Sequence, residues 1–261
     1  MSDILFQKEA KVAVITLNRP EMMNAFTFDM VNQWADALEE YSKDDSVHCV
    51  VLSAAGQKAF CSGVDLNDLN MGESRAIDRK NDLWENVHRV ALTLERLDKP
   101  MICAVNGVAV GAGMDMALMC DIRFASEKAR FSEGYINVGL IPGDGGSYFL
   151  PRIVGMAKAM ELLWTGDFVA AKEAKELGIV NQVYSAEELL PKTLAFAERL
   201  ANSPQTALRM IKRAAHQSAN LDLRTHLDLI SSHFSIVRES EDHREAVAAK
   251  LEKRTPRFIG N

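Results

Sequence analysis

Residues 101–120 read MICAVNGVAVGAGMDMALMC. The first five, Met101–Val105, are all apolar. A short apolar run of this kind is the mark of a strand buried on both faces. Asn106–Gly113 carries Gly107, Gly111 and Gly113 and reads as a turn, after which Met114–Cys120 reads as a helix. A buried strand, a glycine turn and a helix in succession point to an α/β fold.

Outward from this stretch the same elements recur. Lys11–Leu17, Cys49–Ser53 and Ile122–Ala125 read as further strands. Thr27–Tyr41 reads as a helix, with Met30, Val31, Trp34, Leu38 and Tyr41 on one face and Thr27 as its cap. The stretch 56–72 is glycine-rich and polar, a loop or broken helix, and Leu83–Leu97 is a helix stopped by Pro100. Gly139–Gly146 is another glycine-rich turn before a helical stretch. Strand signals end near residue 184. Beyond it Ser185 and Glu188 form a capping box, Ser203-Pro204 reads as a helix start, and helices are expected over 204–218, 222–238 and 241–252. The expected organisation is an α/β core over 1–200 and a helical region over 201–261.

The 261 residues suffice for a large core without disulfides or metals, and the composition, 48% hydrophobic and 25% charged, is that of a globular chain. A formal charge of −6 argues against nucleic acid as a partner. Cys49, Cys61, Cys103 and Cys120 form no CxxC pair and lie in apolar stretches, which suits free thiols in a reducing, cytoplasmic setting. The N-terminal MSDILFQKEA has no secretory pattern, and no segment is long enough to span a membrane. Neither HExxH nor an EF-hand loop nor a Cys/His cluster occurs, so no metal is expected.

Two segments carry chemistry. Ala59–Leu66, AFCSGVDL, and Asn106–Met116, NGVAVGAGMDM, each join an apolar strand to a glycine turn and a helix start. Glycine lets backbone N–H groups approach a ligand, and a helix start presents unpaired donors at its positive end. One donor from each turn could converge on a single oxygen and hold a developing oxyanion. Neither segment is a GxGxxG fingerprint or ends in GK[ST], which weighs against nicotinamide cofactors and nucleoside triphosphates.

Five motifs in order resemble the crotonase family, the enoyl-CoA hydratase/isomerase superfamily. They are LNRPEMMNAF (17–26), AFCSGVDL (59–66), KPMICAVNGVAVGAGMDMALMCDIRFAS (99–126), GLIPGDGGSYFLPRIVGMAKAMELLWTG (139–166) and AKEAKELGIVNQV (171–183). The resemblance covers nearly the whole chain. It implies a spiral of ββα units with a C-terminal helical trimerisation region, a homotrimer or homohexamer, and an acyl-CoA thioester substrate with no cofactor beyond that carrier. By the same resemblance the oxyanion donors are the N–H groups of Val64 and Ala112. Coenzyme A would be bound by Ala25 and Phe26 along the pantetheine arm, by the Ser62 carbonyl near the adenine, and by the segment through Asp65 and Leu66. Lys253, Arg254 and Arg257 form a basic run that could meet a phosphate.

The sequence departs from the family's hydratases, which hold a water between two glutamates. Asp115 and Tyr135 stand at those two positions. An unperturbed tyrosine, with a pKa of about 10, is no carboxylate base near neutral pH. The first choice of base is Asp115 and the second Asp144. Glu133, two residues before Tyr135, shares a face with it if the segment is extended. His88 matches the position of the catalytic histidine in the family's 4-chlorobenzoyl-CoA dehalogenase, but Gly143 stands where that enzyme has its nucleophilic aspartate. Met101, Met114, Met116 and Met119 suit an apolar acyl pocket. The expected reaction is hydration/dehydration or double-bond isomerisation of an enoyl-CoA. The alternatives are a hydrolase or dehalogenase-like enzyme using His88 and a non-catalytic CoA-binding member of the fold.

Overall fold

A computed structural model describes residues 2–65, 68 and 75–260. Among them are two sheets. In the larger, β1 (Ile4–Glu9) pairs antiparallel with β2 (Val12–Leu17). Then β3 (Cys49–Ala54), β5 (Met101–Val105), β7 (Ile122–Ser126) and β10 (Gln182–Tyr184) add in parallel, in the order β1-β2-β3-β5-β7-β10. The smaller sheet has β4 (Ala59–Cys61), β6 (Val108–Val110) and β8 (Arg130–Ser132) in parallel, with β9 (Val169–Ala170) antiparallel at its edge.

The chain alternates between the sheets. β3, β5 and β7 lie in the larger one, and β4, β6 and β8, each next in sequence, lie in the smaller one before a helix follows. This is the expected spiral of ββα units. After β4 come α2 (Ala76–Asp82), a π-helical turn (Leu83–Val87) and α3 (His88–Arg96); after β6 comes α4 (Ala112–Leu118); after β8 come α5 (Gly146–Val154) and α6 (Met156–Thr165). The helix expected over Leu83–Leu97 thus contains a π turn at its start. The three-residue strand β6 lies within the turn expected over Asn106–Gly113, because three residues between glycines are too few to show a period, and β4 is the apolar start of AFCSGVDL inside a stretch otherwise read as loop. β1 also escapes the sequence reading, since its apolar start is only Ile4–Phe6 and the polar residues that follow are exposed.

The strands of the larger sheet are buried on both sides. Val50 and Leu52 pack on one face with Phe26, Trp34, Phe60 and Phe131; Cys49 and Val51 pack on the other beneath α8 (Ala186–Ala201), with Leu189 and Ala197. All four cysteines are free and buried. Helix α1 (Phe28–Lys43) begins where Thr27 accepts a hydrogen bond from the Met30 N–H, as expected of its cap. At its far end the buried Lys99 ammonium donates to the carbonyls of Tyr41 and Asp44, at 2.5 and 2.7 Å, which places a cation at the negative end of the helix.

Ser185 caps α8 and bonds Glu188 as the capping box requires. The following helix, α9 (Gln205–Ser218), does not use Ser203 as its cap: that hydroxyl donates backward to the Arg199 carbonyl, and Pro204 precedes the first turn. Helices α10 (Leu223–Glu239) and α11 (Glu241–Glu252) complete the chain. Within the basic run at its end, the Arg254 side chain is folded onto the protein. Arg254 makes a two-pronged contact with Glu245 at 2.6 and 2.8 Å and a further one with Glu252. Among the described residues no helix is long and apolar enough to cross a membrane.

Trp34 is almost fully buried at the centre of this packing. Trp34→Ala should destabilise the protein by about 3–5 kcal/mol, read as a lower urea midpoint; a midpoint shift near zero would contradict the packing described.

Candidate active site

The two glycine turns meet at the start of α4. Gly63 sits at φ +103°, and a side chain there would lie 3.3 Å from the Val110 carbonyl and 4.0 Å from the Ala112 nitrogen. Gly113 lies against β4 so closely that a Cβ would be 2.1 Å from the Cys61 carbonyl oxygen. Val64 forms an isolated parallel bridge with Phe26, in which the Phe26 N–H donates to Gly63 and the Asp65 N–H donates to Phe26. In such a bridge the central residue's own N–H points the opposite way. The Val64 N–H is therefore turned away from Phe26, and the Ala112 N–H opens the first turn of α4, where amides have no partner within the helix.

A second layer fixes the first turn. The Arg19 guanidinium pairs with Asp65 at 3.0 Å and Asp3 at 3.4 Å and donates to the Ala25 carbonyl. The Asn24 amide donates to the carbonyls of Ala55 and Ala59. Of the residues expected to bind coenzyme A, Ala25 and Phe26 are buried beside this clamp, Asp65 is the ion-pair partner of Arg19, and Ser62 is exposed. Leu66, with residues 67 and 69–74, lies outside the described residues. The sequence reading missed Arg19. Its only signal was the NRP that ends β2.

Beside the two amides lies a cluster of acids. Asp115 projects from the first turn of α4, Asp144 from the turn before α5, and Glu133 and Tyr135 from the start of a 3-10 turn (Gly134–Val138). The Tyr135 hydroxyl lies 2.8 Å from Asp115 Oδ2 and 2.6 Å from Asp144 Oδ2. A phenol has one proton, which serves one of these contacts; the other requires a protonated carboxyl that donates to the phenol oxygen. Gly146 leaves room for a further pair. A Cβ there would sit 2.3 Å from Asp115 Oδ1 and 2.7 and 2.8 Å from the Glu133 oxygens.

Burial governs the charges. Desolvation, reinforced by the Asp144 carboxylate, raises the Asp115 pKa to about 7. Desolvation and the Asp115 carboxylate raise Glu133 to about 10. Asp144 is also raised by burial, with Tyr135 and His88 opposing, and Tyr135 is pushed well above its ordinary value by burial and the two aspartates. Asp144 is 7% exposed, and Asp115 is completely buried.

His88 stands behind the acids. Its Nε2 lies 2.8 Å from the Gly143 carbonyl, and its ring meets Trp84 edge to face. The sequence offers His88 and Asp144 as separate alternatives, and the structure joins them through Gly143. Among the described residues no group of three His, Cys, Asp or Glu side chains is arranged to hold a metal ion.

Two neighbouring glycines separate spatial need from chain flexibility. Gly146→Ala should lower stability by about 1–3 kcal/mol because the methyl meets two carboxyl groups. Gly143→Ala meets only ordinary contacts with Leu83 at 3.7 and 3.8 Å and should change stability by less than about 0.5 kcal/mol. Thermal melting of both variants checks the difference.

Comparison with known proteins agrees with this architecture. The pattern that defines the enoyl-CoA hydratase/isomerase family matches residues 7–261. A 1,2-epoxyphenylacetyl-CoA isomerase of Escherichia coli K12 is 40% identical, covering 100% of this chain and 99% of its own. A crotonyl-CoA hydratase of Syntrophomonas wolfei is 35% identical, covering 98% of each. The crystal structure of an enoyl-CoA hydratase from Bacillus anthracis superposes with a TM-score of 0.94 at 31% identity over the whole of both chains. Matched in sequence from end to end and in fold by these relatives, the chain belongs to the enoyl-CoA hydratase/isomerase family.

Proposed function

We propose that this acyl-CoA-processing enzyme shifts a double bond within an enoyl-CoA. The observation that carries this reading is the Tyr135 hydroxyl, which bridges Asp115 and Asp144 at 2.8 and 2.6 Å. A hydratase must hold a water between its two acids, whereas here a side-chain hydroxyl spans them. Such a unit suits moving a proton from one carbon to another.

The thioester carbonyl accepts hydrogen bonds from the Val64 and Ala112 N–H groups. Asp144, the more exposed acid, takes a proton from the α carbon of a 3-enoyl thioester. The electrons pass into a dienolate whose oxygen is held by the two amides, a stabilisation worth about 3–4 kcal/mol for each such donor in other enzymes. A proton delivered to the γ carbon from the same acid unit leaves the double bond between the α and β carbons. Asp115, completely buried, acts through Tyr135: its hydrogen bond holds the phenol, whose proton is shared with Asp144, and delivery of one proton to the γ carbon restores the ionised Asp144. Asp144 thus becomes the first base and Asp115 the second, the reverse of the order expected from the sequence.

A hydration reading is favoured by the hydratase names among the relatives, the crotonyl-CoA hydratase in particular. A dehalogenase-like reading is disfavoured because His88 is engaged with the Gly143 backbone and Gly143 has no carboxylate. For assembly we propose a homotrimer or homohexamer in the cytoplasm, with no cofactor beyond the substrate's carrier. Helix α10 supports the assembly: it has no fully buried residue and leaves Leu223 and Phe234 72% and 61% exposed. Light scattering that gives a monomer mass would reject it.

The reaction is tested with a short 3-enoyl-CoA, by the rise in conjugated enoyl absorbance, against loss of that absorbance with crotonyl-CoA. Isomerisation should be the faster; faster hydration would reject the proposal. Tyr135→Phe should lower kcat by about 10²–10³ with little change in KM.

The proposal also sets a pH dependence. Asp144 must be ionised to act, and burial raises its pKa. Turnover should therefore be lost, as pH falls, through a limb above the ordinary aspartate value of about 4. A kcat–pH profile flat down to that value would contradict Asp144 as base.

A further inference from the structure

Glu133 is 1% exposed, and neither of its carboxyl oxygens has a hydrogen-bond partner among the described residues when both are treated as acceptors. The same is true of Asp115 Oδ1. All three atoms lie around one point, the empty Cβ position of Gly146. The groups facing Glu133 are Asp115 from α4, Tyr135 from its own turn and Asp144 from the turn before α5, with His88 of α3 behind Gly143. No lysine or arginine among the described residues forms an ion pair with it. Two buried acceptor-only anions side by side would have no donor between them, with only the Tyr135 hydroxyl and the Gly146 N–H to favour the charged form of Asp115. One proton turns the arrangement into a donor–acceptor pair.

We infer that Glu133 is a positioning residue: a neutral carboxyl that donates to Asp115 Oδ1 and thereby sets the direction of the whole chain of acids. The inference rests on the reading of Asp115, Tyr135 and Asp144 as one proton-transferring unit. With Glu133 donating to Oδ1, the Asp115 proton resides on Oδ2 and is donated to the Tyr135 oxygen. The Tyr135 proton is then donated to Asp144. Each contact in the run Glu133–Asp115–Tyr135–Asp144 then has one donor and one acceptor. Three protons serve three hydrogen bonds, and a single negative charge is left on Asp144, the most exposed of the three acids. Glu133 takes up no substrate proton in this scheme. Its proton keeps Asp115 from turning its own away from Tyr135.

The sign of the pH effect follows. A carboxyl whose folded-state pKa is raised favours the fold at low pH, and that contribution is lost as pH rises from its ordinary value of 4.5 toward about 10. Glu133→Gln keeps an N–H donor for Asp115 and has no proton to lose. Its stability should therefore fall less than that of the wild type over this range. Glu133→Leu removes the donor.

The test is infrared spectroscopy of the whole protein at pH 7, with the two variants and Asp115→Asn. The wild type should show the C=O band of a buried protonated carboxyl, and Glu133→Gln should lose one such band. In Asp115→Asn, the Glu133 band should titrate away at lower pH, because Asp115, which ionises before Glu133 as pH rises, no longer places a charge beside it. Glu133→Gln should keep kcat within about threefold, whereas Glu133→Leu should lower it at least about tenfold at unchanged KM and move the acid limb of its pH profile. A purely structural role would lower stability without moving that limb. Identical infrared spectra for wild type and Glu133→Gln would overturn the inference. The infrared arm needs no substrate. If the bands behave as stated while no CoA thioester is turned over, the isomerase reading fails and the Glu133 assignment stands.

Discussion

The approach of Gly113 to the Cys61 carbonyl, too close for any side chain, is the constraint on which the rest of the site depends. It presses the start of α4 against β4 and so brings the Ala112 amide beside the turn that carries Val64. The position of that turn depends in its turn on the Phe26–Val64 bridge and on the Arg19–Asp65 pair. The Arg19 pair is well shielded, and its geometry is shared with the Ala25 carbonyl. Removing either partner would leave a poorly solvated charge, so the pair acts as a specification of loop shape more than as a source of stability.

The acid cluster depends on the same helix. Asp115 lies in the first turn of α4, where the positive end of the helix favours a carboxylate, yet its complete burial works against ionisation and prevails. The molecule holds Asp115, Glu133, Tyr135 and Asp144 together with no lysine or arginine among the described residues to balance them. Protons must do that work. The cluster is thereby sensitive to pH in a way that a salt-bridged site would not be, and its one charge is driven toward the group best placed to be solvated, Asp144.

Much of the fold was legible because its signals are local. The apolar runs of β2, β3, β5 and β7 were read to within a residue or so, and so were the C-terminal helices, because periodicity and capping boxes operate within a few residues of sequence. The extents of the short strands β4 and β6 were not, because three residues between glycines become a strand only by pairing with each other across a long gap. The site divided in the same way. Asp115, Tyr135, Asp144, Glu133 and His88 could be named one at a time. That Tyr135 joins two aspartates, that Glu133 turns inward with it, and that Gly146 makes the space between carboxyls are products of the 3-10 turn and of packing between α4 and α5. No spacing in the sequence encodes those contacts.

The division between backbone and side chain in this site also bears on how one fold hosts different reactions. In the proposed mechanism the oxyanion donors are amides, placed by glycine turns and insensitive to most substitutions outside them. The acids and their hydroxyl bridge come from three separate segments, α4, the 3-10 turn and the loop before α5, and each can change alone. In the proposed mechanism the residue at position 135 does not touch the enolate held by those amides and alters only what can sit beside it. With a carboxylate there, the space between two acids admits water. With the phenol there, the hydroxyl takes the place of that water and is tethered to the protein, so it can relay a proton but cannot be added to a double bond. On this reasoning the choice between hydration and isomerisation turns on whether the oxygen between the acids is free or covalently held, and Tyr135 holds it.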